Sequence, residues 1–272
     1  MKRNKDTLSI TEGELWTALR SVGIDENKIR IRVFDTVAST NTVAKEMAEK
    51  DSREGIPTLV IANGQTGGRG RLGRSFSCPY GAGIYMSLLF YPRLPASMAS
   101  RLTCLTAVAA ARAIDKISGI RPFIKWVNDL YVGDKKLSGI LTEGCADSDG
   151  ILSFAVIGIG INVHEADLGE FSDIATNLER EGARGIKRCD LVAGILQELF
   201  PMLAAEDTTE YFREYIDRAS PIVGRRVTVR RGDESYPATV KGIEPDGKLC
   251  VMTDSGKTVL LESGEVTLPF KA

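Results

Sequence analysis

Three arginines alternate with glycines in segment 68–74, which contains Gly-Arg-Gly-Arg-Leu-Gly-Arg. Glycine adopts backbone angles closed to other residues and loses much entropy when ordered, so this segment predicts a loop. Strand-like apolar runs lie on both sides, at 58–62 and 84–90. The loop should therefore connect two strands of a sheet. Arginine presents a planar fork of donors that suits phosphate and carboxylate, and we expect the loop to close over an anionic ligand.

Two other interpretations of segment 68–74 stay open on its residues alone. The segment is also typical of a flexible solvated loop, or of an arginine–glycine patch that binds nucleic acid. The whole chain, however, carries 35 Lys and Arg against 36 Asp and Glu, a formal net charge of -1. It lacks the positive field that usually accompanies sequence-independent nucleic-acid binding.

The cysteines and the single histidine narrow the chemistry. The five cysteines are scattered without a C-x-x-C pair, which favours reduced thiols over a disulfide framework or a zinc site: Cys78, Cys104, Cys145, Cys189 and Cys250. His164 is the only histidine, which excludes a Ser-His-Asp array and a multi-histidine metal site. We expect no fixed metal site, and chemistry that relies on lysine, arginine, carboxylates, amides and a reactive group brought by the substrate.

The chain shows no sign of membrane insertion or secretion. No apolar run approaches the length of a membrane span, and the polar start, 1–6, lacks the apolar core of a signal peptide. We therefore expect a cytoplasmic protein that makes no contact with a membrane.

The hydrophobic pattern of the first 220 residues predicts an α+β fold. Segment 30–35 alternates like an edge strand, and Ser39, Thr40 or Asn41 can cap the helix that follows. Periodic apolar residues predict further helices at 96–117, 190–205 and 208–218. Strands are predicted at 58–62, 84–90, 123–126, 130–132, 137–142 and 151–163. These strands do not alternate regularly with helices, so we expect a mixed or antiparallel sheet flanked by helices.

Ser220–Pro221 marks a boundary, beyond which the pattern changes. Five short strands separated by turns are predicted at 226–230, 238–243, 249–253, 258–261 and 266–268. They predict a small all-β barrel. We therefore divide the chain into a domain at 1–220 and a second domain at 221–272.

Further motifs accompany the glycine–arginine segment in a recognisable order. In chain order the motifs are Ser39-Thr40-Asn41, Gln65, Lys125-Trp126-Val127-Asn128-Asp129, Lys136-Leu137-Ser138-Gly139-Ile140-Leu141 with Glu143, and Gly158-Ile159-Gly160-Ile161-Asn162-Val163. Together they resemble the biotin-protein ligases, from about Ile31 to the C-terminus. Several motifs in the correct order are far more specific than any one of them.

This resemblance implies a fold and an activity. The fold is a catalytic domain like that of class II aminoacyl-tRNA synthetases and biotin synthetases, followed by an SH3-like β-barrel. The activity is ATP-dependent conversion of biotin to biotinyl-5′-AMP, then transfer of biotin to a lysine of a biotin carboxyl carrier protein domain. Acetyl-CoA carboxylase or a related carboxylase is the implied partner, and the implied cofactors are biotin as substrate, ATP and Mg²⁺.

The resemblance also implies roles for particular residues. Lys136 and Arg69 match the catalytic pair, the lysine beside the biotin carboxylate and the α-phosphate, the arginine on the loop that encloses the ligand. The implied biotin-binding residues are Ser39, Thr40, Asn41, Gln65, Arg69, Gly70, Arg71, Lys136, Gly158 and Gly160. The implied ATP-binding residues are Arg71, Arg74, Trp126, Asn128, Asp129 and Asn162.

Each motif also has a purely structural interpretation. The Ser39–Asn41 triplet is typical of a helix cap, and Trp126 of a hydrophobic core. Gly158 and Gly160 fit either a pocket floor beneath a flat ligand or a structural bulge.

The amide and carboxylate side chains of the motifs have expected partners as well. Asn128 and Asp129 offer oxygens to a nucleotide or to hydrated Mg²⁺, and Glu143 is expected to pair with a nearby lysine. Two positions depart from the family pattern: Leu72 replaces the commoner arginine, and Val127 replaces proline.

Three rival functions are weighed against this one. Some biotin ligases also repress transcription through an N-terminal winged helix-turn-helix, but residues 1–30 are too few for that fold and nearly balanced in charge, so we expect no DNA binding. A lipoate or octanoate ligase on the related fold is the nearest enzymatic alternative. A non-enzymatic RNA-binding protein is the alternative from another class. The oligomeric state stays open.

Overall fold

Seven strands form the larger sheet in the computed structural model, which describes residues 9–50, 55–232, 234–262 and 264–267. The strands pair in the order β1-β2-β3-β7-β6-β5-β4. β1 and β2 are parallel and the remaining neighbours are antiparallel, so the prediction of a mixed sheet with 30–35 at its edge is confirmed. The strands are β1 (Arg30–Val37), β2 (Thr58–Gln65), β3 (Gly83–Phe90), β4 (Phe123–Lys125), β5 (Asp129–Val132), β6 (Lys135–Ala146) and β7 (Leu152–Asn162).

Helices cover both faces of this sheet. On one face α2 packs Ala44 and Ala48 against Val60, Leu89 and Val156. On the other face a larger apolar cluster joins the sheet to the remaining helices. Because β3 is covered on both sides, it is buried along its whole length and its sequence is almost continuously apolar. The helices are α1 (Glu12–Ser21), α2 (Thr40–Lys50), α3 (Ala99–Ser118), α4 (Arg188–Ala204) and α5 (Thr209–Ala219).

The boundaries of the helices refine the predictions. A 3₁₀ turn at Ala96–Met98 precedes α3, and Gly119 ends that helix with φ 71° as its sequence indicates. α1 was not predicted, although Thr11 and Glu14 form a capping box at its start. None of the helices in the described ranges combines the length and the apolar character needed to cross a membrane.

The second sheet is antiparallel throughout and follows a 3₁₀ turn at Ser220–Ile222. Its strands pair in the order β11-β10-β9-β8-β12, which confirms the five predicted strands. The predicted end of the last strand, Leu268, lies outside the described residues. The strands are β8 (Arg226–Arg231), β9 (Glu234–Ile243), β10 (Leu249–Thr253), β11 (Thr258–Leu261) and β12 (Glu265–Thr267).

Hydrogen bonds tie the loop between β4 and β5 to its surroundings. Trp126 Nε1 donates to the carbonyl oxygen of Gly247 in the second sheet at 2.9 Å. The Tyr215 hydroxyl of α5 donates to the carbonyl oxygen of Val127 at 3.0 Å. The peptide bond between Trp126 and Val127 is cis. This loop is thus held through its backbone by a helix of the larger layer, and through the Trp126 side chain by the turn between β9 and β10.

Candidate active site

All of the residues assigned to the site from the sequence line one cavity of about 200 Å³. They reach it from the start of α2, from the glycine–arginine loop and from the ends of β2, β4, β5, β6 and β7. The residues thus brought together are Ser39, Thr40, Asn41, Gln65, Arg69, Gly70, Arg71, Arg74, Trp126, Asn128, Asp129, Lys136, Gly158, Gly160 and Asn162.

A set of uncharged side chains, which we call the amide end, lines one part of the site: Ser39, Thr40, Asn41 and Gln65. The fully buried Ser87 supports them. Gln65 Oε1 accepts from the backbone N–H of Thr40 at 2.7 Å and lies 3.1 Å from the Thr40 hydroxyl. The Ser87 hydroxyl donates to Asn41 Oδ1 at 2.6 Å and contacts the Thr40 hydroxyl at 2.8 Å. Gln65, from a neighbouring strand, thereby satisfies a free N–H group in the first turn of α2.

A partly exposed carboxylate, that of Glu143, fixes the orientation of Asn41. Asn41 Nδ2 donates to Glu143 Oε2 at 2.7 Å, and Lys45 Nζ lies 2.6 Å from Glu143 Oε1. Burial raises the pKa of Glu143, but the hydrogen bonds from Lys45 and Asn41 outweigh burial and the net pKa is lowered. The expected pairing of Glu143 with a lysine is therefore confirmed, and the ionised carboxylate turns Asn41 Oδ1 toward Ser87.

Gly158 and Gly160 leave room for side chains of this chain. A Cβ atom at Gly158 would lie 2.2 Å from Asn41 Oδ1, and one at Gly160 would lie 2.7 Å from the Phe76 ring. Both glycines line the cavity, as predicted, but the close approach they permit is that of Asn41 and Phe76. The role of both glycines as a pocket floor beneath a ligand stays a prediction.

The glycine–arginine loop folds back on itself as a small hairpin. Arg69 and Ser75 form a β-bridge, and the N–H of Gly70 donates to the carbonyl oxygen of Arg74 at 2.7 Å. A 3₁₀ turn at Arg71–Gly73 forms the tip, where Leu72 has φ 54° and is 70% exposed. This left-handed conformation is costly for a side chain such as leucine. The loop does connect β2 to β3, as its flanking sequences predict.

Charged side chains, which we call the cationic end, form the opposite part of the site: Arg71, Arg74, Lys125 and Lys136, with Asp129 and Glu265. Lys136 Nζ and Asp129 Oδ1 form an ion pair at 2.8 Å. The two groups are not aligned for a hydrogen bond, and this buried Asp129 oxygen has no hydrogen-bond partner. Arg74 pairs with Glu265 of β12. Arg71 Nη1 donates to Asn128 Oδ1 at 3.3 Å.

Strand register brings these charges to one corner of the sheet. Lys125 opposes Asp129 between β4 and β5, and Tyr131 opposes Lys136 between β5 and β6. Gly139 of β6 leaves space beside the Lys136–Asp129 pair, since a Cβ atom there would lie 3.1 Å from Lys136 Nζ. The corner is built by short hairpins and so depends on local sequence.

The cavity has a net positive charge. Among its lining residues that the structure describes, five carry cations, Arg69, Arg71, Arg74, Lys125 and Lys136, and two carry carboxylates, Asp129 and Glu265. Burial lowers the pKa of Arg71 and the pKa of Lys125, because both cations are partly removed from water. An anion that entered the cavity would stabilise these two cations in place of the water that burial has removed.

The remaining assigned residues are engaged with the protein. Trp126 is only 3% exposed, so most of its side chain packs in the hydrophobic core. Asn128 Nδ2 donates to the carbonyl oxygen of Ile140, and Asn162 Nδ2 to that of Thr176, each at 2.9 Å. In Asn162 the side-chain oxygen, Oδ1, is the polar atom left for a ligand.

Several lining residues were not found from the sequence. Phe76, Met86 and Tyr131 come from the loop and the sheet, while Gly264, Glu265 and Val266 come from the second sheet. A segment after β7 adds apolar residues at Leu168, Phe171, Ile174 and Ala175. Backbone bonds hold it in place, since Lys136 N–H donates to the carbonyl oxygen of Ile174 at 2.9 Å. In the sequence, isolated apolar residues within a polar stretch are the feature that could have pointed to this segment.

Cys78 and His164 have structural partners; Cys78 Sγ accepts from Gln65 Nε2 of the amide end at 2.9 Å. No group of three or more His, Cys, Asp or Glu side chains within the described ranges could hold a metal ion. His164 Nδ1 lies 2.9 Å from Glu179 Oε1. All five cysteines are free, and burial raises the pKa of Cys78 to about 12.

Comparison with known proteins gives the family. The Biotin/lipoate A/B protein ligase family matches residues 33–162, and the biotin protein ligase C-terminal domain matches residues 222–268. The chain is 33% identical to the Bifunctional ligase/repressor BirA of Bacillus subtilis, over 91% of this chain and 76% of that protein. It is 29% identical to the Biotin--[acetyl-CoA-carboxylase] ligase of Mycobacterium tuberculosis, over 86% of this chain and 88% of that protein.

A solved structure agrees with these relatives. The biotin protein ligase from Aquifex aeolicus in complex with biotin and ATP superposes with a TM-score of 0.73 and 26% identity, covering 89% of this chain and 99% of that one. The chain therefore belongs to the biotin/lipoate protein ligase family, and the match to the C-terminal domain model indicates its biotin ligase branch.

Proposed function

We propose that this protein is an ATP-dependent biotin protein ligase, which converts biotin to biotinyl-5′-AMP and transfers biotin to a lysine of a carrier domain. One observation carries the proposal: a single cavity joins a neutral, hydrogen-bonding end to a strongly cationic end. Biotin offers a neutral ureido ring at one end and a carboxylate at the other. ATP brings the negative charge that the cationic end attracts.

The amide end suits the ureido ring. Its hydroxyl and amide groups are held by one another before any ligand enters, so binding does not have to order them. Ser39, Thr40, Asn41 and Gln65 would present donors and acceptors to the ring. Gly158 and Gly160 would act through the space they leave for Asn41 and Phe76.

The cationic end suits adenylation. A biotin carboxylate oxygen attacks the α-phosphorus of ATP, and the bond from that phosphorus to the pyrophosphate oxygen breaks with its electron pair leaving on pyrophosphate. Lys136 would stabilise the charge on the α-phosphate as it develops. Asp129 holds the Lys136 ammonium at the corner of β5 and β6 before the nucleotide enters.

The glycine–arginine loop would protect the product. Biotinyl-5′-AMP is a mixed anhydride that water hydrolyses, and a loop folded over it excludes water. Arg69 and Arg71 would contact the ligand through their guanidinium groups, with Gly70 between them allowing close backbone approach. In the second step a carrier lysine attacks the biotinyl carbonyl carbon, and AMP leaves.

Magnesium would accompany the nucleotide. Asp129 Oδ1 is buried without a hydrogen-bond partner and Asn128 lies beside it, so oxygen donors of the type that Mg²⁺ prefers are present. Once bound, the ion neutralises charge on the phosphates. Trp126, Arg74 and Asn162 would complete the nucleotide end of the cavity.

Several finer statements belong to the same proposal. The seven-stranded sheet with its helices would be a catalytic domain of the class II aminoacyl-tRNA synthetase type at 1–220, and the second sheet would close as an SH3-like barrel at 221–272. The carrier would be that of acetyl-CoA carboxylase or a related carboxylase. The free cysteines fit a reducing compartment such as the cytoplasm. No DNA partner is proposed.

Biotin-dependent exchange of labelled pyrophosphate into ATP tests this function. Purified protein should catalyse exchange with biotin and should then label a biotin carboxyl carrier domain at one lysine. Exchange supported by lipoate or octanoate in place of biotin would reassign the chain to the lipoate branch of the family. Salt-sensitive RNA binding without any exchange would overturn the enzymatic assignment.

A further inference from the structure

Lys125 is a cation of the site that takes part in none of the ion pairs described above. It is the last residue of β4 and it lines the cavity. Lys136 has Asp129 and Arg74 has Glu265, but within the described part of the chain no carboxylate oxygen lies within 4.0 Å of Lys125 Nζ. Its polar contact is the neutral Tyr131 hydroxyl, at a long 3.4 Å, and the Tyr131 ring lies 5.2 Å away.

This ammonium is poorly satisfied for its environment. Lys125 is partly buried, and an ammonium has three N–H donors, which are costly to withdraw from water without partners. The charged groups around it are Asp129, Lys136, Glu265 and Arg74, so it lies between two ion pairs. Phosphate oxygens, which are negatively charged acceptors, are ligands that suit these donors.

The sheet separates Lys125 from Lys136. The two lysines come from β4 and β6, which flank β5 on opposite sides. Two strand spacings amount to about 10 Å between backbones, and Lys136 Nζ lies 2.8 Å from Asp129 whereas Lys125 Nζ contacts the Tyr131 hydroxyl. The two ammonium groups thus reach the cavity from separate strands with separate partners.

We propose that Lys125 is a further catalytic residue of adenylation, which binds the β- and γ-phosphate oxygens of ATP and stabilises pyrophosphate as it leaves. This inference rests on the proposed function. Charge on the leaving pyrophosphate increases as its bond to the α-phosphorus breaks, and a fixed ammonium offsets that charge. Lys125 stays protonated throughout and transfers no proton, while Lys136 serves the α-phosphate and the carboxylate.

The two half-reactions separate this role from a structural one. In Lys125→Met, kcat/KM for ATP in biotin-dependent pyrophosphate exchange should fall roughly 100-fold, the loss typical of removing one charge-stabilising donor. The KM for biotin should not change. Transfer to the carrier from supplied biotinyl-5′-AMP should keep its wild-type rate, because no pyrophosphate leaves in that step.

Matched variants complete the experiment. Lys125→Arg keeps the charge and should recover most of the exchange activity, and it also serves if Lys125→Met does not fold. Lys135→Met changes a half-buried lysine that does not line the cavity, and should behave as wild type. Unchanged exchange in Lys125→Met, or equal losses in both half-reactions, would overturn the inference. Absence of exchange in the wild type would instead overturn the proposed function.

Discussion

The two ends of the cavity hold their side chains by different means. At the amide end Asn41 is 5% exposed and forms hydrogen bonds to Glu143 and Ser87. At the cationic end the side chain of Arg74 is 58% exposed and forms one ion pair, with Glu265. Buried hydrogen bonds fix geometry, whereas half-exposed ion pairs contribute little and can exchange partners.

The difference follows from what each end would bind. A neutral ring brings no charge, so its recognition depends on donors and acceptors that are already in position. A triphosphate brings several negative charges, and it can displace a carboxylate from a cation that the carboxylate has held in place. Asp129 and Glu265 would therefore act as substitutes for phosphate in the absence of nucleotide.

The largest effect is expected at Lys136. Lys136→Met should lower the rate of biotin-dependent pyrophosphate exchange about 1000-fold, since it removes the ammonium proposed to stabilise the α-phosphate. Isothermal titration should show a much smaller loss of biotin affinity, about tenfold or roughly 1.4 kcal/mol, because only the carboxylate contact is removed and the amide end is intact. Comparable losses of biotin affinity and exchange rate would break the division of the cavity into two ends.

A loss confined to biotin is expected at Asn41. Asn41→Ala removes an amide proposed to contact the ureido ring. It also takes one hydrogen-bond partner each from Ser87 and Glu143, which keep Thr40 and Lys45. Biotin affinity should therefore fall roughly 30–150-fold, about 2–3 kcal/mol. The KM for ATP should not change, and Asn27→Ala at an exposed position should have no effect on either substrate. A matching rise in the KM for ATP would indicate that the two ends are coupled.

The smallest effect is expected at Arg74. Because its ion pair is largely exposed, Arg74→Met should raise the KM for ATP only about 2–5-fold and leave the melting temperature nearly unchanged. Arg226→Met removes a comparable exposed pair, with Asp254, away from the cavity and should have no kinetic effect. A loss above 100-fold in Arg74→Met would mean that Arg74 is as specialised as Lys136.

The sequence predicts the helices and strands whose formation depends on the pattern of neighbouring residues. α3 was predicted because Leu102 and Leu105 recur at helical spacing and Gly119 can adopt the positive φ that ends the helix. The mixed sheet and the five strands of the second sheet followed from alternation and turn residues. α1 was missed although its capping box was readable at Thr11 and Glu14.

Contacts between distant segments could not be predicted in this way. Nothing near Gly160 in the chain indicates that Phe76 fills the space above it, and nothing near Arg74 indicates Glu265. Motif order brought the site residues into one set, but their partners depend on how the sheet and the loops pack. Lys125 stands in a motif that was recognised, yet only the folded chain shows that it forms no ion pair with the residues that the structure describes.

The hydrogen bond from Trp126 to Gly247 restricts how this enzyme could be re-engineered. Gly247 has φ 87°, and a Cβ atom there would lie 3.2 Å from the Phe212 ring. A chimera that carried a foreign C-terminal module would need a tight glycine turn at this point, with its carbonyl oxygen aimed at the indole. Module exchange at residue 221 would otherwise leave the loop between β4 and β5 with its hydrogen bond from Tyr215 but without the one to Gly247.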